Sequence, residues 1–179
     1  MDRQPVLEGE RLLLRPLRQS DWEALYAVGG DREVWAQHPV SNRWKEPVFR
    51  AFFQEALEQG GALAAIDRKA GAIVGSSRFG PLDPAVPEVE IGWTFLARTL
   101  WGSGANREMK RLMIDHALQS VQRVVFRVGD TNIRSRRAME KIGARLTDRT
   151  EELEGPAGPI VHLVYEMSRE DFAAGPLAA

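Results

Sequence analysis

Apolar positions along the chain recur with two different spacings, and together these spacings predict a mixed α/β fold. Short apolar runs, some of them alternating with polar residues, predict strands, whereas apolar positions three and four residues apart predict helices. Glycine and proline residues that favour turns separate the segments. The seven predicted strands lie at 10–17, 62–67, 72–79, 88–96, 123–128, 145–153 and 160–167.

Helical segments lie between several of these strands. Ser20 followed by Glu23 has the spacing of a capping box, so a helix is expected to begin there and to end near Val28. Further helices are predicted at 48–59, 105–120 and 133–142, with a helical turn inside 31–47 and another at 168–172. Because the chain shows neither an internal repeat nor a linker, one domain over 1–179 is expected, with a frayed tail at 173–179.

The fourth predicted strand, 88–96, carries the clearest alternation of apolar and polar residues. The helix after it returns to the fifth strand, and because such crossovers are right-handed, these two strands are expected to be parallel neighbours. The spacing of two predicts one face formed by Val89, Ile91, Trp93 and Phe95, and an opposite face formed by Glu88, Glu90 and Thr94.

A short glycine-rich loop joins the fourth strand to the next helix, and it reads Trp101-Gly102-Ser103-Gly104-Ala105-Asn106. Glycines permit a tight turn, and the free N–H groups of a helix start attract phosphate. A mononucleotide P-loop does not fit because Lys and Ser/Thr are absent after the second glycine, and a dinucleotide fingerprint does not fit because Arg107 replaces the third glycine. The loop alone leaves a phosphate site and an ordinary connection as alternatives.

Composition narrows the class of protein. The 179 residues are 44% hydrophobic and 27% charged, which indicates a soluble globular domain of ordinary size. A formal net charge of -1 gives no general attraction to nucleic acid, and no apolar stretch has membrane-spanning length. There are no cysteines and only three scattered histidines. We therefore expect a cytoplasmic protein without a metal site, and without nucleic-acid or membrane partners.

Four segments, taken in order along the chain, resemble the GNAT superfamily of N-acetyltransferases. They are 10–17, 90–96, the loop 101–106 and 131–144. The superfamily's loop is usually Gln/Arg-x-x-Gly-x-Gly/Ala, and Trp101 at its first position is similar to the ribosomal-protein N-acetyltransferase (RimJ/RimL-like) branch. The resemblance covers nearly the whole chain. It implies a single GNAT-like domain with a twisted, mostly antiparallel seven-stranded sheet, splayed between strands four and five, with helices on both faces.

Three departures from the family pattern stand out. Asn106 occupies a position where most members have glycine or alanine, close to where a pyrophosphate would bind. Met139 stands where many members carry a tyrosine acid. The segment after Gly143 lacks the Glu-Gly and basic pattern of the family and reads Leu146-Thr147-Asp148-Arg149. The last departure affects the part of the site expected to bind the acceptor of the acetyl group more than the part expected to bind its donor.

The resemblance implies that acetyl-CoA donates the acetyl group. Its pyrophosphate would bind the N–H groups of 102–106, and its pantetheine arm would follow the free edge of strand four. Arg98, Arg107 and either Arg136 or Arg137 are candidates for the terminal phosphates, with a solvated surface charge as the alternative for each. The implied cofactor-binding residues are Phe95, Leu96, Trp101, Gly102, Ser103, Gly104, Ala105, Asn106, Asn132 and Arg136.

The implied reaction is direct attack of a neutral amine on the thioester. A lysine-like acceptor, with a pKa of about 10.4, needs a base more than an α-amine of about 7.7–8.0 does. Glu90 is the first candidate base and Glu88 the second, although both fit a solvent-facing strand edge equally well. Ser135 is a candidate donor to the leaving thiolate, with solvation of the first helical turn as the alternative. Asn132 is expected to cap that helix.

The acceptor remains open between a protein N-terminal α-amine and a small-molecule amine. An open acidic groove would indicate a peptide, and a closed aromatic pocket would indicate a small molecule. His38 and Trp35 lie in the segment that would line this pocket, with core packing as the alternative for Trp35, and His116 is expected to be structural. The alternative function is an acyl-CoA-binding sensor or interaction domain without catalysis. A homodimer is the implied alternative to a monomer.

Overall fold

The computed structural model describes residues 1–155 and 158–178. Its strands form one sheet in the order β1-β2-β3-β4-β5-β6-β8-β7, in which β5 and β6 are parallel and the other neighbouring strands are antiparallel. The strands are β1 (Leu7–Glu8), β2 (Leu12–Pro16), β3 (Ala62–Asp67), β4 (Ala72–Phe79), β5 (Glu88–Leu96), β6 (Arg123–Gly129), β7 (Arg145–Gly155) and β8 (Gly158–Ser168). The helices are α1 (Trp22–Gly29), α2 (Glu46–Gln59), α3 (Ala105–Leu118), α4 (Ile133–Lys141) and α5 (Arg169–Ala174).

The predicted mixed α/β class is confirmed, with one more strand than expected. The additional strand is β1, whose two residues are too few to show a period in the sequence. The last two strands, β7 and β8, are longer than predicted and extend towards each other. Within the turn predicted at 155–159, Pro156 and Ala157 lie outside the described residues.

The start of α1 differs from the predicted capping box. Residues Gln19–Asp21 form a 3-10 turn, and the carboxylate of Asp21, rather than the hydroxyl of Ser20, accepts the backbone N–H of Arg18 at 2.8 Å. Asp21 also pairs with Arg15 at 2.7 Å. The Ser20 prediction is therefore wrong, because a carboxylate already held by an arginine satisfies the first turn instead.

The end of the chain is also more ordered than predicted. Helix α5 continues the fold to Ala174, and the side chain of Leu177 is 1% exposed within the apolar core. The prediction of a frayed tail does not hold for 173–178, because burial of this leucine fixes the chain against the core. Ala179 lies outside the described residues.

Two apolar clusters lie on opposite faces of the sheet. One packs α3 and α4 against the sheet through residues such as Met113 and Met139, and it contains Phe126 of β6. The other packs α1 and α2 around Phe49 and Phe52. Helices therefore cover both faces, as predicted. No helix in the described ranges combines the length and apolarity needed to cross a bilayer.

The sheet opens between β5 and β6. These strands pair only over Glu88 to Glu90, opposite Arg123 to Val125, and Glu90 is the last residue of β5 in that pairing. Beyond it, β5 keeps β4 as its neighbour. The result is a wedge between β5 and β6, which we call the fork, and Glu90 lies at its closed end.

A bulge in β5 changes which face its side chains occupy. Arg78 of β4 pairs with Gly92, whereas Ser76 pairs with Phe95, so β5 has one extra residue in this interval. Trp93 lies in the bulge with a φ of 52°, the one positive φ among the described residues other than glycine. Val89 and Ile91 join the cluster under α3, while Trp93 and Phe95 join the cluster under α1 and α2. The predicted single face of these four residues is therefore wrong beyond Ile91.

Candidate active site

The glycine loop has the geometry of an anion site. Gly102 and Gly104 have φ values of 75° and 88°, and a Cβ placed on either would meet no atom of residues 1–155 and 158–178 within 4 Å. Within the described residues, the N–H groups of Gly102, Gly104, Asn106 and Arg107 form no hydrogen bond. The loop thus presents free donors and the positive end of α3 to open space, which suits a phosphate.

The indole of Trp101 fixes this loop to β5. Its Nε1 donates a hydrogen bond to the carbonyl oxygen of Leu96 at 3.1 Å, while the side chain remains 42% exposed. The guanidinium of Arg134, from α4, lies 4.2 Å above the same ring. Arg134 also donates to the carbonyl of Val34 at 2.7 Å. Trp101 therefore contacts both sides of the fork. The carbonyl of Leu96, on the edge of β5 that faces the fork, already accepts a hydrogen bond from this indole.

The start of α4 lies at the open end of the fork, beside the loop. The loop follows β5 and α4 follows β6, and since the two strands are parallel, both helix starts are at their carboxyl ends. Asn132 is 5% exposed, and its Oδ1 accepts the backbone N–H of Ser135 at 3.2 Å. The predicted cap is confirmed, and it places Ser135 on the first turn of α4.

Several arginines proposed for the terminal phosphates already have partners within the chain. Arg98 is paired with Asp31, and Arg107 donates to the carbonyl of Pro176. Arg136 donates to the carbonyl of Asp130 at 3.1 Å and to the hydroxyl of Tyr165 at 3.4 Å. Arg137 is exposed. A phosphate contact by Arg98 would therefore compete with a carboxylate, whereas Arg137 is directed to solvent.

The carboxylate of Glu90 lies at the closed end of the fork with its side chain 17% exposed. Its Oε2 accepts a hydrogen bond from Nη1 of Arg127 at 2.7 Å, and Nε of Arg127 donates to Glu151 at 2.7 Å. Burial raises the pKa of Glu90, and Arg127 opposes the shift without cancelling it. Glu90 is thus a more basic carboxylate than an exposed glutamate.

Glu88 lies on the same strand in a different electrostatic setting. Arg123 donates to its Oε2 at 2.8 Å, and Arg149 donates to its Oε1 at 3.2 Å. Burial alone would raise the pKa of Glu88, but the two guanidiniums outweigh it and the pKa is lowered. The structure therefore separates the two predicted carboxylates: Glu90 is suited to accept a proton, and Glu88 is held as an anion between two arginines.

Other side chains singled out in the sequence occupy structural positions. Trp35 is 2% exposed in the aromatic core and donates to the carbonyl of Gly29 at 2.7 Å. Burial, together with Arg43, lowers the pKa of His38 to about 3, so this imidazole is neutral and a poor base near neutral pH. His116 contacts the carbonyl of Asp2 at 2.7 Å. Core packing of Trp35 and a structural role for His116 agree with these contacts.

Sequence reasoning missed Lys110, which is 3% exposed on α3. Its Nζ donates to Oγ1 of Thr94 on β5 at 2.7 Å and lies 5.4 Å from the ring centre of Phe126 on β6. Burial lowers its pKa to about 7, and the charge of Glu90 opposes this shift. The signal in the sequence was its place beside the apolar stripe, three residues before the buried Met113.

Comparisons with known proteins agree with this architecture. The profile of the Acetyltransferase (GNAT) domain family matches residues 11–145. A putative acetyltransferase from T. thermophilus is 29% identical, with a TM-score of 0.74 over 93% of this chain and 90% of that one.

Two further solved structures share the fold at lower identity. A GCN5-related N-acetyltransferase from Brucella melitensis is 19% identical, with a TM-score of 0.83 over 96% of this chain and 81% of that one. RimJ from Mycobacterium smegmatis, in complex with CoA-disulfide, is 19% identical, with a TM-score of 0.73 over 93% and 86% of the two chains. Since the family profile spans well over half of the sequence, the chain belongs to the GNAT family of acetyltransferases.

Proposed function

We propose that this acetyltransferase moves an acetyl group from acetyl-CoA to a primary amine by direct attack, with Glu90 as the base. The observation that carries the proposal is the position of Glu90, the last paired residue of β5 where the sheet opens. A buried carboxylate with a raised pKa at that point suits removal of a proton from an incoming amine.

The donor end of the proposal rests on the loop and the free edge of β5. The open space over Gly102 and Gly104 and the unpaired N–H groups fit a pyrophosphate at 102–106. The edge of β5 that β6 leaves free, at Phe95 and Leu96, supports the proposed path of the pantetheine arm. Acetyl-CoA supplies an acetyl thioester there, which is the acetyl donor of the GNAT family.

Helix α4 supplies further donor-side candidates. Asn132 is buried at the start of the helix, and Ser135 follows on its first turn. We propose Ser135 as a hydroxyl near the leaving sulfur and Arg136 as a contact to the nucleotide. Asn106, on the opposite side of the opening, has a half-buried side chain close to the free N–H groups.

The acceptor side of the reaction needs a base that removes a proton from the attacking amine. The acceptor attacks as a neutral amine, and Glu90 takes the one proton that the nitrogen loses as the amide bond forms, directly or through a water molecule. Glu88 is the second candidate, weakened as a base by its two arginines. No covalent enzyme intermediate is required, because the amine displaces the thiolate in one transfer.

The acceptor side lies towards α1 and α2, where aromatic and cationic side chains meet. The guanidinium of Arg78 lies 4.7 Å above the ring of Trp93 and 5.5 Å from that of Phe52. Both the α-amine of a protein N-terminus and a small-molecule amine remain acceptor classes of the proposal. A homodimer and a cytoplasmic location remain predictions from the sequence.

A panel of amine acceptors, read by release of the CoA thiol, tests this proposal. Turnover with at least one acceptor, lost in Glu90→Gln and retained in Glu88→Gln, is the expected result. The alternative is an acyl-CoA-binding domain without catalysis, and saturable binding of acetyl-CoA by calorimetry without turnover on any acceptor would favour it. No saturable heat with millimolar acetyl-CoA would overturn the donor site itself.

A further inference from the structure

Lys110 is a buried amine on the inner side of α3. Its side chain is 3% exposed, and within the described residues no carboxylate oxygen lies within 4.0 Å of Nζ. The one hydrogen bond that Nζ forms there goes to Thr94. A buried ammonium is costly unless it is paired, so this position favours either a neutral amine or the arrival of an anion.

The hydroxyl of Thr94 is held in place to receive this amine. Oγ1 of Thr94 lies 2.8 Å from Oγ of Ser77 and 3.3 Å from the carbonyl oxygen of Gly92. An ammonium carries three N–H donors, and Thr94 occupies one of them. The ring of Phe126 faces the same nitrogen from the other strand. Lys110 therefore bridges β5 and β6 on the α3 side, beside the fork.

The position of Thr94 along β5 relates Lys110 to the donor groove. Phe95 and Leu96 are the proposed contacts of the pantetheine arm, and Thr94 is the next residue towards the closed end of the fork. A strand advances about 3.3 Å per residue, so Thr94 lies one step deeper than those contacts. The reactive end of a donor that enters from the loop points in this direction.

The proposed reaction so far gives its leaving thiolate a neutral partner alone. Met139 occupies the place of the tyrosine found in many family members, and its side chain is 5% exposed in the apolar core. Ser135 offers a neutral hydroxyl. A cation stabilises a thiolate more strongly than a neutral donor does, because charge-assisted interactions are about twice as strong.

The geometry points to Lys110 as the cation that stabilises the CoA thiolate when the acetyl group is transferred, an inference that rests on the proposed function. As the acceptor nitrogen bonds to the carbonyl carbon, the carbon–sulfur bond breaks and its electron pair stays on sulfur. The proton of the acceptor goes to Glu90, and the thiolate remains beside the ammonium of Lys110. Atoms and charges balance without a further reactant.

The alternative is a purely structural lysine that joins α3 to β5. The two roles differ in what they do to the sulfur of bound CoA. A cation next to the sulfur lowers the pKa of the bound thiol below the value that the same thiol has in free CoA. A structural lysine leaves the pKa of the bound thiol unchanged.

The test is a pH titration of the complex with CoA, followed by the ultraviolet absorbance of the thiolate, in wild type and in Lys110→Met. Lys141→Met, an exposed lysine on α4, is the matched control. We expect a lowered thiol pKa in wild type and in the control, and a return towards the free value in Lys110→Met. We also expect kcat to fall about 10²-fold in Lys110→Met, while the KM for acetyl-CoA changes little.

Two results decide against the inference in distinguishable ways. An equal thiol pKa in wild type and Lys110→Met overturns the role of Lys110, while acetyl transfer with Glu90 as base still stands. Absence of saturable CoA binding by wild type overturns the proposed donor site and this inference with it. Lys110→Gln, which keeps a donor for Thr94, repeats the titration if thermal unfolding shows that the methionine variant does not fold.

Discussion

Arg127 of β6 donates from Nη1 to Oε2 of Glu90 on β5 at 2.7 Å, beside the last residues where the two strands pair. The pair joins the two sides of the fork at its closed end. Burial raises the pKa of Glu90, Arg127 lowers it, and Glu151 on the far side of Arg127 raises it again. The proton affinity of the proposed base is thus set by its burial and by two charged neighbours, Arg127 on β6 and Glu151 on β7, and each neighbour can be changed separately.

Replacing Glu90 by glutamine is expected to remove the base and keep the shape of the site. We expect kcat to fall by about 10²–10⁴-fold, which is the range for loss of a general base. In wild type, kcat/KM is expected to fall as the pH drops through the raised pKa of Glu90, because the protonated carboxyl cannot accept a proton. The measurement is thiol release as a function of pH.

Glu88→Gln is the control for this experiment. Glu88 has a lowered pKa and two arginine partners, so its loss is expected to change kcat much less and to leave the acid limb of the profile in place. If both variants turn over as fast as wild type at every pH, neither carboxylate is the base.

Changes at the neighbours of Glu90 are expected to move the acid limb in opposite directions. Arg127→Gln removes the cation that lowers the pKa of Glu90, so the limb moves to higher pH. Glu151→Gln removes an anion that raises the pKa of Glu90, so the limb moves to lower pH. The pH dependence of kcat/KM measures both, and shifts of the same sign in the two variants would contradict this arrangement.

The strands, the helix cap and the glycine loop that form this site could be predicted from local sequence patterns. The side chains buried between them could not. Apolar runs bounded by glycine and proline identify seven of the eight strands, and Asn132 is a cap in sequence and structure alike. The two residues of β1 leave no period to detect. The loop with Gly102 and Gly104 was recognisable because positive φ angles require glycine in a short turn.

The bulge and the burial of Lys110 arise from tertiary structure instead. Alternation assumes a regular strand, and the positive φ of Trp93 moves Trp93 and Phe95 to the face opposite Ile91. Lys110 lies beside the apolar stripe of α3, but a lysine is seldom fully buried, so the residue type favours a solvated side chain. The side chain of Lys110 is buried beside the fork because Oγ1 of Thr94 accepts a hydrogen bond from its Nζ there.

The glycines of the loop are expected to matter for CoA binding more than for stability. Gly104→Ala and Gly102→Ala place a Cβ in a left-handed conformation, which costs roughly 1–2 kcal/mol, although no atom in the described part of the chain lies within 4 Å of the Cβ. Because the loop must keep this conformation to direct its N–H groups outwards, we expect the Kd for CoA to rise roughly tenfold, as 1.4 kcal/mol would produce. Calorimetry measures the Kd.

Gly71→Ala is the matched control, since Gly71 has a φ of 67° and equally open surroundings in the turn between β3 and β4. We expect a similar loss of free energy of unfolding in all three variants, with CoA affinity unchanged in Gly71→Ala. Weakened CoA binding in this control would mean that the loop glycines act through global stability.

Lys110 is expected to reduce the stability of the fold, whatever its part in the reaction. Its folded-state pKa of about 7 lies below the unfolded reference of 10.5, so the unfolded chain binds more protons between these values. The free energy of unfolding therefore rises with pH across this window, and below the folded pKa the cost of the buried charge is fully present.

Lys110→Met removes that charge while filling similar space, and buried ionic groups replaced by apolar ones often gain about 1–4 kcal/mol. We expect a higher free energy of unfolding near neutral pH, and a smaller rise between about pH 7 and pH 10 than in wild type. Denaturant unfolding at several pH values measures both effects, with Lys141→Met as the exposed control. A loss of stability in Lys110→Met would show that the Thr94 contact outweighs the cost of burying the ammonium. A gain in stability with a loss of turnover would indicate that this lysine is retained for function rather than for folding.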